Sequence, residues 1–137
     1  MIEFTPDLMM NVPSIDEQHM ALVKRLNEIV TMGTAAGSKE EIEKNLLFLG
    51  NYAVKHFADE EKVQVQAGYP KYEQHRKLHQ QFVEDYKKFV ADYRENGCST
   101  NFMIQLNRTV IRWIAQHIQE ADLDIARHIK ANNIKVD

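Results

Sequence analysis

Apolar residues recur at alternating steps of three and four through four long stretches of this chain. That spacing repeats one face of an α-helix and is incompatible with the two-residue period of a strand. Glycine and proline mark three breaks between the stretches. Gly33 and Gly37 precede Ser38, Gly68 and Pro70 bracket Tyr69, and Asn96 and Gly97 precede Ser99 and Thr100. Ser14 with Glu17, and Ser38 with Glu41, have the spacing of a capping box, so the first two helices are expected to open there. The third is expected just after Pro70, and the fourth near Ser99 or Thr100, fading at Asn132 and Asn133. Gly68 and Gly97 suit helix termination. Four amphipathic helices with short connections predict an all-α, up-down-up-down four-helix bundle. Residues 1–13 form an N-terminal arm whose Phe4, Leu8 and Met9 are expected to fold against it.

The chain has 137 residues, the usual size of one domain, so a single domain is expected over residues 1–137. Its charge is mild and interspersed, a net −3, which lacks the basic footprint of a nucleic-acid binder and any polybasic arm for a membrane surface. The one cysteine, Cys98, cannot make an internal disulfide; it is expected to be inert in an exposed loop. No basic region precedes an apolar run at the N-terminus, and no stretch is long enough to span a membrane. The cytoplasm is the expected compartment.

The inward stripes carry an unusual burden. The first reads Ile15, His19, Leu22, Leu26, Ile29. The second reads Ile42, Leu46, Leu49, Ala53, His56, Glu60, Val63, Ala67. The third reads Tyr72, His75, His79, Phe82, Tyr86, Phe89, Tyr93, and the fourth Met103, Leu106, Val110, Trp113, His117, Ala121. Five of the six histidines thus lie on buried faces, spread over all four helices. His56 and Glu60, like His75 and His79, are four apart and share a face. Burying so many polar groups without partners would cost several kcal/mol each, on the order of 2–7. With a rise of about 1.5 Å per residue, all six fall toward the same end of an alternating bundle and can meet in one layer. Five imidazoles and carboxylate exceed what one tetrahedral zinc accepts. They suit two borderline metal ions sharing bridges, with iron the natural candidate. A histidine-rich shell supplies less negative charge than a carboxylate-rich one, which favours binding oxygen over activating it.

Ser14-Ile15-Asp16-Glu17-Gln18-His19, His56-Phe57 with Glu60-Glu61, Gly68-Tyr69-Pro70 followed by His75 and His79, and Trp113 with His117-Ile118 and Asp122 resemble the hemerythrin family in its single-domain bacterial form. The resemblance covers nearly the whole chain. It implies two iron ions with an oxo or hydroxo bridge. His75, His79 and His117 would hold one iron, His19 and His56 the other, and Glu60 and Asp122 would bridge, with oxygen binding at the two-histidine iron. The implied function is reversible oxygen binding for storage or delivery, with molecular oxygen as ligand and an oxygen-consuming protein as recipient. One departure is the arm, where the family usually has a tryptophan and Phe4 is the nearest counterpart.

Periodicity alone leaves the last ligand open. Asp122 follows His117 by five residues, roughly 140° round an α-helix, and Glu120 lies nearer in angle on the other edge; the resemblance implies Asp122. Asp59 and Glu61 flank Glu60 and read as a solvated face. Asp16 reads as an exposed first-turn acid favoured by the helix dipole. His128 is roughly 16 Å beyond His117 and too far to join the cluster. Leu22, Phe57, Phe82 and Trp113 are placed to wall the metal layer. The alternative function is a di-iron peroxidase, or a nitric-oxide-handling or oxygen-sensing protein on the same scaffold. Tyr72 and Tyr86 are the inward acid-base candidates such an enzyme would need.

Overall fold

The computed structural model describes residues 4–34, 39–97 and 99–136. Their regular structure is helical, with no strand among them. Helix α1 spans Pro13–Thr34, α2 Lys39–Gln66 and α3 Tyr72–Asn96. The fourth rod, α4, runs without a break through α-helical Thr100–Gln105, a π-helical stretch Leu106–Ile111, α-helical Arg112–Gln116, a second π-helical stretch His117–Asp122 and α-helical Leu123–Ala131. Contacts between neighbours run in opposite chain directions. Gln18 meets Asp59 while Arg25 meets Asn45. Glu61 meets His79 while Glu43 meets Arg94. His79 meets His117 while Tyr93 meets Phe102. The bundle is therefore up-down-up-down.

The helix ends follow from local chemistry. α1 begins one residue before the serine of the expected capping box, at Pro13. The carbonyl of Val12 accepts from the N–H groups of Ile15 and Asp16, and proline suits the first helical position because its missing N–H has no partner there anyway. The box expected at Ser38 lies outside the described residues, as does Cys98. Gly97 closes α3 at φ 70°, donating to the carbonyl of Tyr93 at 2.7 Å. Ser99 caps α4, its Oγ accepting from the Phe102 N–H at 3.1 Å.

The arm folds back, though not as expected throughout. Leu8 is buried and Phe4 packs against the main core, but Met9 is 42% exposed and Met10, at 3%, takes the inward position. The reason is Asp16. It is buried rather than exposed, and its Oδ1 accepts the Met10 backbone N–H at 2.7 Å. This bond ties arm to helix and turns Met10 inward.

The fourth stripe also departs from expectation. Buried positions on α4 are Phe102, Leu106, Val110, Ile114, Ile118 and Asp122, with His117 beside them and Ile125 beyond; Met103, Trp113 and Ala121 are only half-buried. Five successive steps of four drift about 200° round an ideal α-helix. The two π-helical stretches each take up about one extra residue, near 100° apiece, and so return the stripe to the core.

Packing divides the interior into three layers. A large apolar cluster includes Leu22, Leu26, Leu46, Phe57, Phe82, Phe102 and Ile114. A smaller one at the arm end joins Met10, Val12, Ile15, Val63, Tyr69 and Ile125. On α1, α2 and α4 the candidate site residues lie between members of the two clusters, and on α3 between Phe82 and Tyr69 just before the helix, so the polar layer is shut away from both ends. Replacing Asp16 with alanine would leave the Met10 N–H buried and unpartnered. The expected loss is about 1–3 kcal/mol of unfolding free energy in a urea titration; an unchanged midpoint would show that the arm does not depend on this bond.

Candidate metal centre

Each helix delivers its part of the layer by one local device. α1 contributes His19, one turn after Ile15. α2 contributes His56 and Glu60, and α3 contributes His75 and His79, each pair one turn apart. α4 contributes His117 and Asp122, the first and last residues of the second π-helical stretch. In an α-helix five residues leave two side chains about 140° apart; the wider π turn brings residues i and i+5 onto one face. His117 Nε2 accordingly lies 3.0 Å from Asp122 Oδ1. Glu120, the other candidate, is exposed.

The seven side chains are buried and converge through their Nε2 and carboxylate atoms. Glu60 Oε1 lies 2.8 Å from His75 Nε2 and 3.2 Å from His79 Nε2. Its Oε2 faces the other way, 3.3 Å from His56 Nε2 and 3.4 Å from His19 Nε2. Asp122 repeats the pattern. Its Oδ1 lies 3.1 Å from His75 Nε2, and its Oδ2 lies 3.0 Å from His19 Nε2. Two potential metal-holding groups result, Glu60-His75-His79-His117-Asp122 and His19-His56-Glu60-Asp122, with the ligand atoms of each within 4.8 Å of one another. They share both carboxylates and divide the oxygens between them.

The electrostatics call for positive charge at the centre. Burial pushes the His19 imidazole down, but the adjacent carboxylates of Asp122 and Glu60 outweigh it and raise it to about 10. The same contest raises His117 to about 9 and also lifts His75. Burial favours the neutral form of Glu60, yet the surrounding imidazoles hold it well below its ordinary value. For Asp122, burial and the charge of Glu60 push up, and His117 and His19 pull it below its ordinary range. His19 Nε2, Glu60 Oε2 and both Asp122 oxygens are buried without a hydrogen bond that satisfies them. Two imidazole nitrogens, on His79 and His117, face each other at 3.1 Å. Lone pairs crowded in this way fit cations, with nitrogen and oxygen donors suited to borderline first-row metals. The buried cluster can hold a pair of them.

Supports stand behind the imidazoles. The His56 Nδ1–H donates to Gln18 Oε1 at 2.8 Å, and Gln18 Nε2 donates to Asp59 Oδ2 at 2.8 Å. The His79 Nδ1–H donates to Glu61 Oε2 at 3.0 Å. Reading Asp59 and Glu61 as a solvated face is thereby overturned. The signal was present in the spacing: Glu61 is four after buried Phe57 and three before buried Gln64, and Gln18 sits between buried Ile15 and Leu22. Gln64 was also missed; it is fully buried one turn beyond Glu60, with both amide atoms unpartnered. His128 stays outside the cluster, its Nε2–H donating to the carbonyl of Ala67 at 2.8 Å.

Aromatic rings wall the layer as expected. Phe57 stacks on His79 with centroids 4.0 Å apart, and Trp113 on His117 at 4.3 Å. Phe82 backs both, at 5.7 Å from Phe57 and 4.3 Å from Trp113. Phe4 of the arm lies 6.4 Å from His19. A cavity of about 10 Å³ touches His19, His56, His117 and Asp122, and is closed by Leu22, Ala53, Phe57, Trp113, Ile114 and Ile118.

Fold and site together define a helical-bundle protein whose core is built to bind metal cations. The family described as Hemerythrin HHE cation binding domain matches residues 10–129, which take in all seven side chains. The chain belongs to the hemerythrin family. It is 30% identical over 130 residues to a bacteriohemerythrin of Stenotrophomonas maltophilia, covering 92% of this chain and 80% of the relative. It is 31% identical over 116 residues to a bacteriohemerythrin of Methylococcus capsulatus, covering 82% and 83%. A crystal structure of wild-type hemerythrin matches with a TM-score of 0.81 at 25% identity, covering 94% of this chain and 98% of that one.

The charge balance yields a pH prediction for protein stripped of cations by a chelator. Raised His19 and His117 contribute stability that is full below the ordinary imidazole value of 6.5 and is lost as pH climbs through about 9 to about 10. Lowered Glu60 and Asp122 contribute stability that is full above 4.5 and 3.8 and is lost as pH falls through their depressed values. The chelated chain should therefore melt at a progressively lower temperature between pH 7 and 10, while metal-loaded chain stays nearly level. A melting temperature of chelated protein that rises over that range would contradict this account.

Proposed function

We propose that this chain binds molecular oxygen reversibly at two iron ions, for storage or delivery. The observation that carries the reading is the division of the two carboxylates between a three-histidine and a two-histidine set. His75, His79 and His117 would hold one iron, and His19 and His56 the other. Glu60 and Asp122 would bridge them, with an oxo or hydroxo group completing the pair. The second set is one ligand poorer, and the small apolar cavity borders both its histidines, His19 and His56, but only His117 of the first set. Two iron ions held there would supply the two electrons that dioxygen takes up on binding, and would recover them when it leaves.

The residues round the cavity do the rest. Leu22, Phe57, Ile114 and Ile118 offer no exchangeable proton and exclude water, so little is at hand to drive the ligand onward to products. The acid-base side chains that an enzyme reading needs are elsewhere. Tyr72 is half-buried and does not line the cavity. Tyr86 donates its hydroxyl to the carbonyl of Leu46 at 2.6 Å, and burial pushes its ionisation up. These placements favour carriage over the peroxidase or nitric-oxide-handling alternative. Among the described residues no helix is long and apolar enough to cross a membrane. The reading takes the chain as one cytoplasmic domain that passes oxygen to an oxygen-consuming protein.

Purified, reconstituted protein should carry about two irons per chain. The anaerobically reduced form should gain a visible charge-transfer band in air and lose it on degassing. Prompt, irreversible conversion to a ferric form with peroxide turnover would instead establish the enzyme. Asp122→Ala should lose iron, at least a tenfold drop in affinity, while Glu120→Ala keeps it, by metal analysis after dialysis; equal retention would remove Asp122 from the site. The tenfold figure is the low end of about 10–100-fold seen on removing even a supporting partner of a metal ligand.

A further inference from the structure

The two halves of the site are backed by chemically different groups. On the three-histidine side, His79 Nδ1–H donates to a carboxylate oxygen, Glu61 Oε2, at 3.0 Å. On the two-histidine side, His56 Nδ1–H donates to a neutral amide oxygen, Gln18 Oε1, at 2.8 Å. The carboxylate behind that amide, Asp59, is one hydrogen bond further out, 2.8 Å from Gln18 Nε2. Both supports cross a helix interface, Glu61 from α2 to α3 and Gln18 from α1 to α2. Both are partly shielded from solvent.

A carboxylate acceptor draws the Nδ1 proton outward and gives the ring anionic character, which makes Nε2 a stronger donor to a metal. An amide acceptor orients the ring without adding charge. A stronger donor stabilises the more positive metal ion. The chain therefore carries an electronic asymmetry on top of the difference in histidine number.

We propose that Glu61 makes the iron held by His75, His79 and His117 the first of the pair to be oxidised, and that Gln18 keeps the iron on His19 and His56 the last. In the half-oxidised protein one electron has left to an added one-electron oxidant. The ferric ion then lies on the Glu61 side, and the ion on His19 and His56 stays ferrous. This inference rests on the two-iron reading above and deepens it.

The test is a redox titration of the iron-loaded full chain, following the half-oxidised state by electron paramagnetic resonance, with iron content measured in every sample. Glu61→Gln keeps an acceptor of the same size and removes its charge. At fixed solution potential the ferrous-to-ferric ratio of the first step should rise about tenfold, in line with the effect of such supporting partners. Glu84→Gln removes a charge lining the same surface depression beside His79, from a side chain paired with Lys87, and should change the ratio less than about twofold. The exchange Gln18→Glu with Asp59→Asn moves a carboxylate one hydrogen bond inward at constant net charge. It should lower the potential of the second step instead. Two bound irons with an unshifted first step in Glu61→Gln, or equal shifts in Glu61→Gln and Glu84→Gln, would overturn this inference alone. A wild-type chain that does not take up two irons would overturn the reading beneath it, and this inference with it.

Discussion

Two carboxylates buried among five imidazoles govern this structure. Glu60 and Asp122 are both 0% exposed, and an uncompensated charge in such a place is untenable. Every inward imidazole is placed to answer them. The bundle supports this arrangement only because apolar layers shut it in from both ends, and those layers hold together only because the polar layer between them is electrically balanced. Charge compensation and packing are therefore one problem here, solved at a single height in the bundle.

The solution required irregular backbone. Nothing about an apolar core alone would favour two π-helical stretches in one rod, since they widen the turn and weaken regular hydrogen bonding. On α4 they do two things at once. They cancel the drift of a stripe that repeats every four residues, and the second brings Asp122 onto the face of His117. The two consequences support each other: the inward-facing apolar residues stabilise the wide turns, and the wide turns bring Asp122 into the polar layer. Local irregularity at a functional position is a familiar outcome of such coupling.

The supports behind the imidazoles show a second level of order. Gln18, Asp59 and Glu61 lie on helix edges, where one side chain can touch both a buried ring and solvent. Such positions set the orientation of each imidazole and the charge behind it, while the inward faces determine where the rings meet. The same division explains the arm. Asp16 holds Met10 from a helix edge, and Phe4 reaches the layer at His19 from outside the bundle.

Much of this was legible in the amino-acid order. Steps of three and four specified helices, and the glycine and proline breaks separated four of them. His19, His56, Glu60, His75, His79 and His117 stood out because polar groups on apolar stripes need a shared partner. Those inferences hold because helix periodicity is local and a bundle of alternating rods leaves few ways to stack them. Asp122 was different. Its angle on an ideal helix argued against it, and only a tertiary preference for a wide turn could reverse that. Met10 in place of Met9, the buried Asp16, and the hydrogen bonds from His56 to Gln18 and from His79 to Glu61 likewise depended on neighbouring elements. A helix edge is buried or exposed according to what packs beside it, and one chain segment read alone does not carry that information.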